Sequence, residues 1–168
     1  MYQEFWGLDH KPFDNRPTAG TYFASASQEA AESKLRYVLE SQLPAALITG
    51  GPGVGKTALL RRIESRYRGD IAFTQISFPQ LPPAQLLACI AGRLAGEPIN
   101  SQQHETESLR RIEERLLEAA ENHQHVCLVV DECHGMPAES FETLRLLLNL
   151  SEPLGVQLTI LLAGQPSV

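Results

Sequence analysis

The chain has 168 residues, 43% of them apolar, and its 14 Lys and Arg against 20 Asp and Glu give a net charge of −6. That length supports one soluble domain burying roughly two thirds of the surface its unfolded form exposes, and excludes a second domain of similar size. The negative balance supplies no overall positive field for a phosphate backbone or an anionic leaflet, so autonomous DNA binding is disfavoured.

Residues 1–26 are rich in Pro, Gly and rings (Phe5, Trp6, Phe13, Tyr22, Phe23) without a period, and read as an irregular segment of the core pinned by those rings. The opening MYQEFWGLDHKPF lacks the basic start and apolar run of a signal peptide, and no stretch reaches 18 apolar residues. A cytoplasmic chain with no membrane contact of its own is expected. From residue 27 to 168 one core is expected. Ser27 to Gln42 carries Ala30, Ala31, Leu35, Val38 and Leu39 at three- and four-residue steps, which predicts a helix closed by Pro44. Ala45 to Thr49 is short, apolar and followed by glycines, as a strand buried on both faces would be. Lys56 to Tyr67 is the next helix and Ile71 to Ser77 the next strand.

Pro82-Pro83 opens a helix through Leu94, and Gly96 to Gln103 is a polar loop. Glu105 to Glu121 is amphipathic, with Leu109, Ile112, Leu116 and Leu117 assigned to one stripe. Val126 to Val130 is a third buried strand, Ala138 to Leu150 a helix, and Val156 to Leu162 a fourth strand. Strands alternating with helices predict right-handed crossovers and a mainly parallel sheet covered on both faces: an α/β, three-layer αβα fold. Cys89, Cys127 and Cys133 show no CxxC or Cys/His ligand spacing and read as reduced; Cys133, beside an acidic pair, is the one with a possible further role.

Gly50-Gly51-Pro52-Gly53-Val54-Gly55-Lys56-Thr57 fits GxxxxGK[ST] between a predicted strand and a predicted helix, the context that makes the motif a phosphate-binding loop. Glycines let main-chain N–H groups turn inward around an anion, and the helix amino terminus through Ala58 adds its partial positive charge. Lys56 supplies a mobile cation for the β- and γ-phosphates, and the Thr57 hydroxyl is a ligand for Mg²⁺. The spacing therefore predicts a nucleoside triphosphate site over residues 50–58.

Asp131-Glu132 follows the third strand, 75 residues after Lys56, at the carboxyl end where ligands of open parallel sheets bind. Asp131 is expected to hold Mg²⁺, mostly through water, and Glu132 to polarise the water that attacks the γ-phosphate. A bland alternative is that the pair caps the following helix. No NKxD-type run reads guanine, which favours ATP over GTP. The run DECH also occurs in helicases, but that machine closes two lobes on a nucleic-acid strand and needs a Ser-Ala-Thr-like run downstream. The stretch Leu161-Leu162-Ala163-Gly164-Gln165 lacks it, so His134 is expected to face solvent or pack at a loop start. The basic cluster Arg61, Arg62, Arg66 and Arg68 reads as a solvated helix face rather than a DNA contact. Arg145 pairs with Glu142 or solvent, or reaches a neighbouring subunit's phosphate.

The stretch DECHGMPAESFETLRLLLNLSEPLGVQLTILLAGQPSV, with the lead-in FWGLDHKPFDNRPTAGTYFASASQEAAESKLRYVLE, resembles the general secretion pathway protein A family of AAA+ ATPases, also called ExeA-like, over nearly the whole chain. The resemblance implies an AAA+ P-loop NTPase core with Walker A and Walker B motifs, ATP and Mg²⁺ as cofactors, and a polar residue after the fourth strand that senses the γ-phosphate. Gln165 matches that position, a turn residue before Pro166 being the alternative. The family core continues into a fifth strand and a helical lid that this chain lacks, so a truncated, weakly hydrolysing core with its cradle strand at a sheet edge is expected. By the same resemblance the ATPase switches a secretion or assembly partner, type II secretion being the model. The full-length form is a homo-oligomer, held at the inner face of the inner membrane if it carries a span. The competing readings are an ATP-dependent DNA-transposition regulator of the same core type, one lobe of a DECH helicase, and a fragment that binds nucleotide poorly. Phe13 and Tyr22 are candidates for the adenine pocket.

Overall fold

The computed structural model describes residues 5–8, 25–77, 79–99 and 104–166. Helix α1 spans Ala26–Glu40, strand β1 Ala45–Thr49, α2 Lys56–Arg66, β2 Ile71–Ile76, α3 Pro83–Ala95, α4 Glu105–Glu121, β3 His125–Val130, α5 Ala138–Ser151 and β4 Leu158–Gly164; a single 3₁₀ turn, Cys133–Gly135, lies between β3 and α5. The four strands are parallel in the order β1-β4-β3-β2. This is the expected three-layer α/β architecture.

Local chemistry sets the boundaries. Ser25 and Gln28 form a reciprocal capping box at the start of α1, satisfying two of the N–H groups that a helix start leaves without partners. Pro83 opens α3, where its missing N–H costs nothing, and Gly96 closes it in the left-handed conformation. Strand β4 begins two residues later than the apolar run suggested. Val156 is buried, but its N–H is committed to Ser151 O at 3.3 Å, and parallel pairing with β3 starts only at Leu158.

Side-chain alternation splits the core into two sheets of contacts. Val126, Leu128 and Val130 of β3, with Ile160 of β4 and Ile76 of β2, pack under α3, α4 and α5. Cys127 and Val129, with Leu161, Ala163 and Ile71, pack under α1 and α2 against Leu35, Leu39, Leu59, Leu60 and Ile63. Every residue of β3 is buried, as a central parallel strand requires. On α4 the buried stripe runs through Ser108, Ile112, Leu116 and Ala119, whereas Leu117 is turned outward, which corrects its assignment to the apolar face.

Strand β1 corrects a second expectation. It lies at the edge of the described sheet, its residues alternate between exposed and half-buried, and Leu47 is 51% exposed. Only Ala46 and Ile48 pack inward, against the α1–α2 face. An apolar composition therefore reflected one covered face, not two, while the expected edge position of the cradle strand is observed. In the amino-terminal segment, Phe5 and Trp6 stack edge to face at 5.1 Å with both rings mostly exposed, so these two do not pin it to the core. Phe13, Tyr22 and Phe23 lie outside the described residues, as do residues 100–103 of the polar loop. Among the described residues no helix is long and apolar enough to cross a membrane.

At the amino ends of the strands, a buried polar chain ties the sheet together. Thr159 Oγ1 donates to Leu43 O at 2.8 Å, which leaves its oxygen to accept from the His125 ring nitrogen Nε2 at 2.9 Å. Burial holds the His125 imidazole below its ordinary pKa, so it stays neutral.

Candidate nucleotide site

Strand β1 ends at Thr49 and the chain turns through Gly50 to Gly55 into α2, whose first residue is Lys56. The turn depends on its glycines. Gly53 has φ +76° and Gly55 φ +90°, and a Cβ on Gly55 would stand 2.6 Å from Gln28 Nε2. Gln28 reaches across from α1 and donates to Val54 O at 2.9 Å, so the capping residue of one helix also holds the loop before the next. A cavity of about 130 Å³ lies between them, lined by Ser27, Gln28, Ala31, Ile48, Val54 and Leu59 among others.

Lys56 is largely buried, and its ammonium donates to the carbonyl oxygens of Gly50 and Gly51 at 2.9 and 3.1 Å. The loop thus holds a cation at its centre, close to the amino terminus of α2, and Gly51 and Gly53 have open space where a side chain would stand. Pro52, Val54 and Ala58 complete the turn and the first residues of α2.

The loop and the acidic pair meet. Thr57 Oγ1 donates to Asp131 Oδ2 at 2.6 Å across 74 residues of sequence, and Asp131 Oδ1 accepts from the Glu132 main-chain N–H at 2.9 Å. Both oxygens of a buried carboxylate are therefore fixed. A hydroxyl and a carboxylate side by side are the hard oxygen donors that Mg²⁺ prefers. Among the described residues no group of three or more His, Cys, Asp or Glu could cage a metal. The arrangement fits an ion that keeps its remaining ligands from phosphate and water, as Mg²⁺ does in phosphoryl-transfer sites.

Glu132 adopts the left-handed conformation, φ +57°, at the start of the 3₁₀ turn, and the pair does not cap α5, whose N-cap is Pro137 with no side-chain cap hydrogen bond. A non-glycine residue held there costs about 1–2 kcal/mol and occurs preferentially where function demands it. Burial, reinforced by the carboxylates of Asp131 and Glu132, pushes the Cys133 thiol up; it stays protonated and is a packing residue rather than a nucleophile. All three cysteines are free and buried.

Strand β4 runs out at Gly164, whose carbonyl accepts from Gly50 N at 3.2 Å, and this brings Gln165 to the same end of the sheet as the loop. Gln165 does not end in a bare turn. Its Nε2 is 3.1 Å from His134 Nε2, and His134 Nδ1 is 3.3 Å from Glu132 Oε2. Of the two expected settings for His134, solvent or packing at a loop start, the structure shows the second: its side chain is only 24% exposed, in the 3₁₀ turn after β3, and lies between two candidate site residues. Neither the contact of Gln165 with His134 nor that of Gln28 with Val54 is legible in local sequence, because each joins residues more than two dozen positions apart.

The basic cluster behind the loop has a structural use. Arg62 Nε donates to the buried carboxylate of Glu32 at 2.9 Å, and Arg66 stands 3.6 Å from it, clamping α2 to α1. Arg145 pairs with Glu142 within α5.

With this geometry in hand, comparison with known proteins gives a consistent result. Residues 40–168 match the family model described as an AAA domain. The chain is 28% identical, over all 168 residues, to the general secretion pathway protein A of Aeromonas hydrophila, and spans 30% of that protein's length. Among solved structures it superposes on Cdc6p from Pyrobaculum aerophilum with a TM-score of 0.70 at 20% identity, covering 92% of this chain and 42% of that one. The Walker-type ATPase paby2304 of Pyrococcus abyssi gives 0.63 at 20% identity, covering 92% and 49%. Drosophila ORC bound to DNA gives 0.60 at 16%, covering 93% and 47%. At such identities the structural likeness is one of fold, that of P-loop ATPase cores, and the resemblance to the general secretion pathway protein A family read from the sequence holds. The chain belongs to the AAA domain family of ATPases.

Proposed function

We propose that this chain binds ATP with Mg²⁺ in the loop 50–58 and hydrolyses it. The observation that carries the reading is the hydrogen bond from Thr57 to Asp131, which joins the phosphate-binding loop and the acidic pair at one point of the sheet. The nucleotide brings the anhydride that is cleaved, and the divalent ion brings the charge that offsets what develops on the phosphates. The chain's own residues do the rest. Main-chain N–H groups of residues 50–57 and the Lys56 ammonium bind the β- and γ-phosphates, and Ala58 lies in the first turn of α2, whose dipole adds to their hold. Thr57 and Asp131 would hold the ion. Glu132 accepts a proton from the attacking water, and Gln165 contacts the terminal phosphate.

Glu132→Gln separates binding from chemistry, because the amide keeps the size of the side chain and cannot accept the proton. We expect this variant to bind Mg-ATP as the parent does and to turn over about 100-fold more slowly or worse, in line with the contribution of a general base. Equal turnover by parent and variant would remove Glu132 from this role.

The finer reading is that hydrolysis switches a secretion or assembly partner within a homo-oligomer at the inner face of the membrane. It rests on the whole-chain similarity to general secretion pathway protein A. Nucleotide-dependent self-association, followed by sedimentation with and without Mg-ATP, tests its first step; a monomer under all conditions would count against it. A DNA-binding role, suggested by the neighbour bound to DNA, draws no support from the basic cluster, since Arg62 and Arg66 serve Glu32.

A further inference from the structure

We infer that His134 is a positioning residue that couples Gln165 to Glu132, so that engagement of Gln165 by the terminal phosphate is transmitted to the residue that activates water. The inference rests on the proposed ATPase reading and adds to it a link between two of its residues. Three observations carry it. His134 Nε2 lies 3.1 Å from the Gln165 side-chain nitrogen, 31 residues away. Its other ring nitrogen, Nδ1, is buried and has no well-aligned hydrogen bond, and the group it meets is Glu132 Oε2 at 3.3 Å. Finally, Gly164 O accepts from Gly50 N at 3.2 Å, which ties the residue before Gln165 to the start of the glycine loop.

The ring's chemistry gives the coupling its direction. A neutral imidazole offers one donor and one acceptor nitrogen. When the Gln165 amide donates to Nε2, Nδ1 carries the proton and faces the Glu132 carboxylate at 3.3 Å. When Gln165 turns its amide to a phosphate oxygen, Nε2 loses that donor, and the ring is free to move with Glu132. Glu132 heads the short turn that carries His134, with its backbone at φ +57° and its side chain half exposed, so the contact with His134 is one that can orient it. Glu132 and His134 thus sit two residues apart on one turn, and Gln165 is the partner on the other side.

A double-mutant cycle tests the coupling. Single-turnover hydrolysis of Mg-ATP would be measured for the parent chain, His134→Ala, Gln165→Ala and the double variant, with nucleotide affinity measured separately. Each single substitution should slow turnover about tenfold, His134→Ala should leave affinity within about twofold, and the double variant should be no slower than the slower single one. Additive losses, about a hundredfold in the double variant, or an unchanged rate in His134→Ala, would overturn the inference.

A second measurement needs no turnover. The Gln165 side-chain amide resonances should shift when Glu132 is changed to Gln in the parent, and should not respond to the same change in a His134→Ala background. An equal response in both backgrounds overturns the coupling. If the chain fails to bind ATP, the ATPase reading falls while this resonance test still decides whether His134 links the two residues.

Discussion

The two ends of the parallel sheet are built on opposite principles. At the amino ends of β3 and β4, His125, Thr159 and Leu43 form a closed chain of hydrogen bonds with every member committed inside the protein. At the carboxyl ends, Lys56, Thr57 and Asp131 also find partners, but these are loop carbonyls and one another, groups that a phosphate and a cation can replace. Positive φ angles occur at both ends: at Gly53, Gly55 and Glu132 on the carboxyl side, and at Gln42, Gly69, His123 and Gly155 in the turns that lead into the strands. What separates the two ends is the polar groups: one end commits them to partners inside the protein, and the other pairs them with groups that a ligand can replace. Substitutions at the two ends should therefore separate cleanly into those that alter nucleotide chemistry and those that alter stability.

The largest separation is expected at Asp131. Asp131→Asn keeps the shape but weakens the hold on the ion, so the Mg²⁺ concentration needed for half-maximal hydrolysis should rise about 10–100-fold with the melting temperature nearly unchanged. An Mg²⁺ titration of activity beside a thermal melt checks both halves. The reverse pattern is expected of Thr159→Val, which leaves the buried His125 ring and the Leu43 carbonyl without their partner. It should lose about 1–3 kcal/mol of stability in urea denaturation and keep the parent's nucleotide affinity. A fall in affinity there would show that the two ends are not independent.

Gly55→Ala touches both properties and sharpens the boundary between them. The left-handed backbone at φ +90° and the approach of Gln28 predict a loss of about 1–2 kcal/mol, together with weaker nucleotide binding because the loop cannot close as before. The smallest effect concerns pH. Burial keeps the folded His125 below its ordinary pKa, so the unfolded chain takes up the proton first as pH falls. The stability that neutral His125 contributes is complete above the ordinary histidine pKa of about 6.5 and declines below it. Melting temperatures between about pH 7 and pH 5.5 should fall for the parent and fall less steeply for His125→Gln.

How much of this was legible in the sequence depended on the range of the interaction that decided each feature. Helices α3 and α4 came out within a residue or so because Pro83, Gly96 and the periodic leucines act locally. The glycine loop and the acidic pair stand out in the sequence because glycine, lysine and carboxylate recur there at fixed spacing, and Thr57 and Asp131 do meet in the fold. The half-open burial of β1 is not legible in its composition, which cannot say whether a neighbour covers the second face, and Leu47 is left open. Leu117 departs from the apolar stripe because its angular position on α4, not its apolar character, sets the face it takes. The bridge from Glu132 through His134 to Gln165 was out of reach, since it exists only once β3 and β4 lie side by side.

The central claim is that the loop centred on Lys56 is a nucleotide site. Calorimetric titration of the chain with ATP, with and without Mg²⁺ and beside Lys56→Ala, tests it most directly. The account predicts saturable one-to-one binding that Mg²⁺ strengthens and that Lys56→Ala weakens about a hundredfold, the scale of losing hydrogen bonds from a charged donor. Absence of binding, or binding indifferent to Lys56, would contradict it.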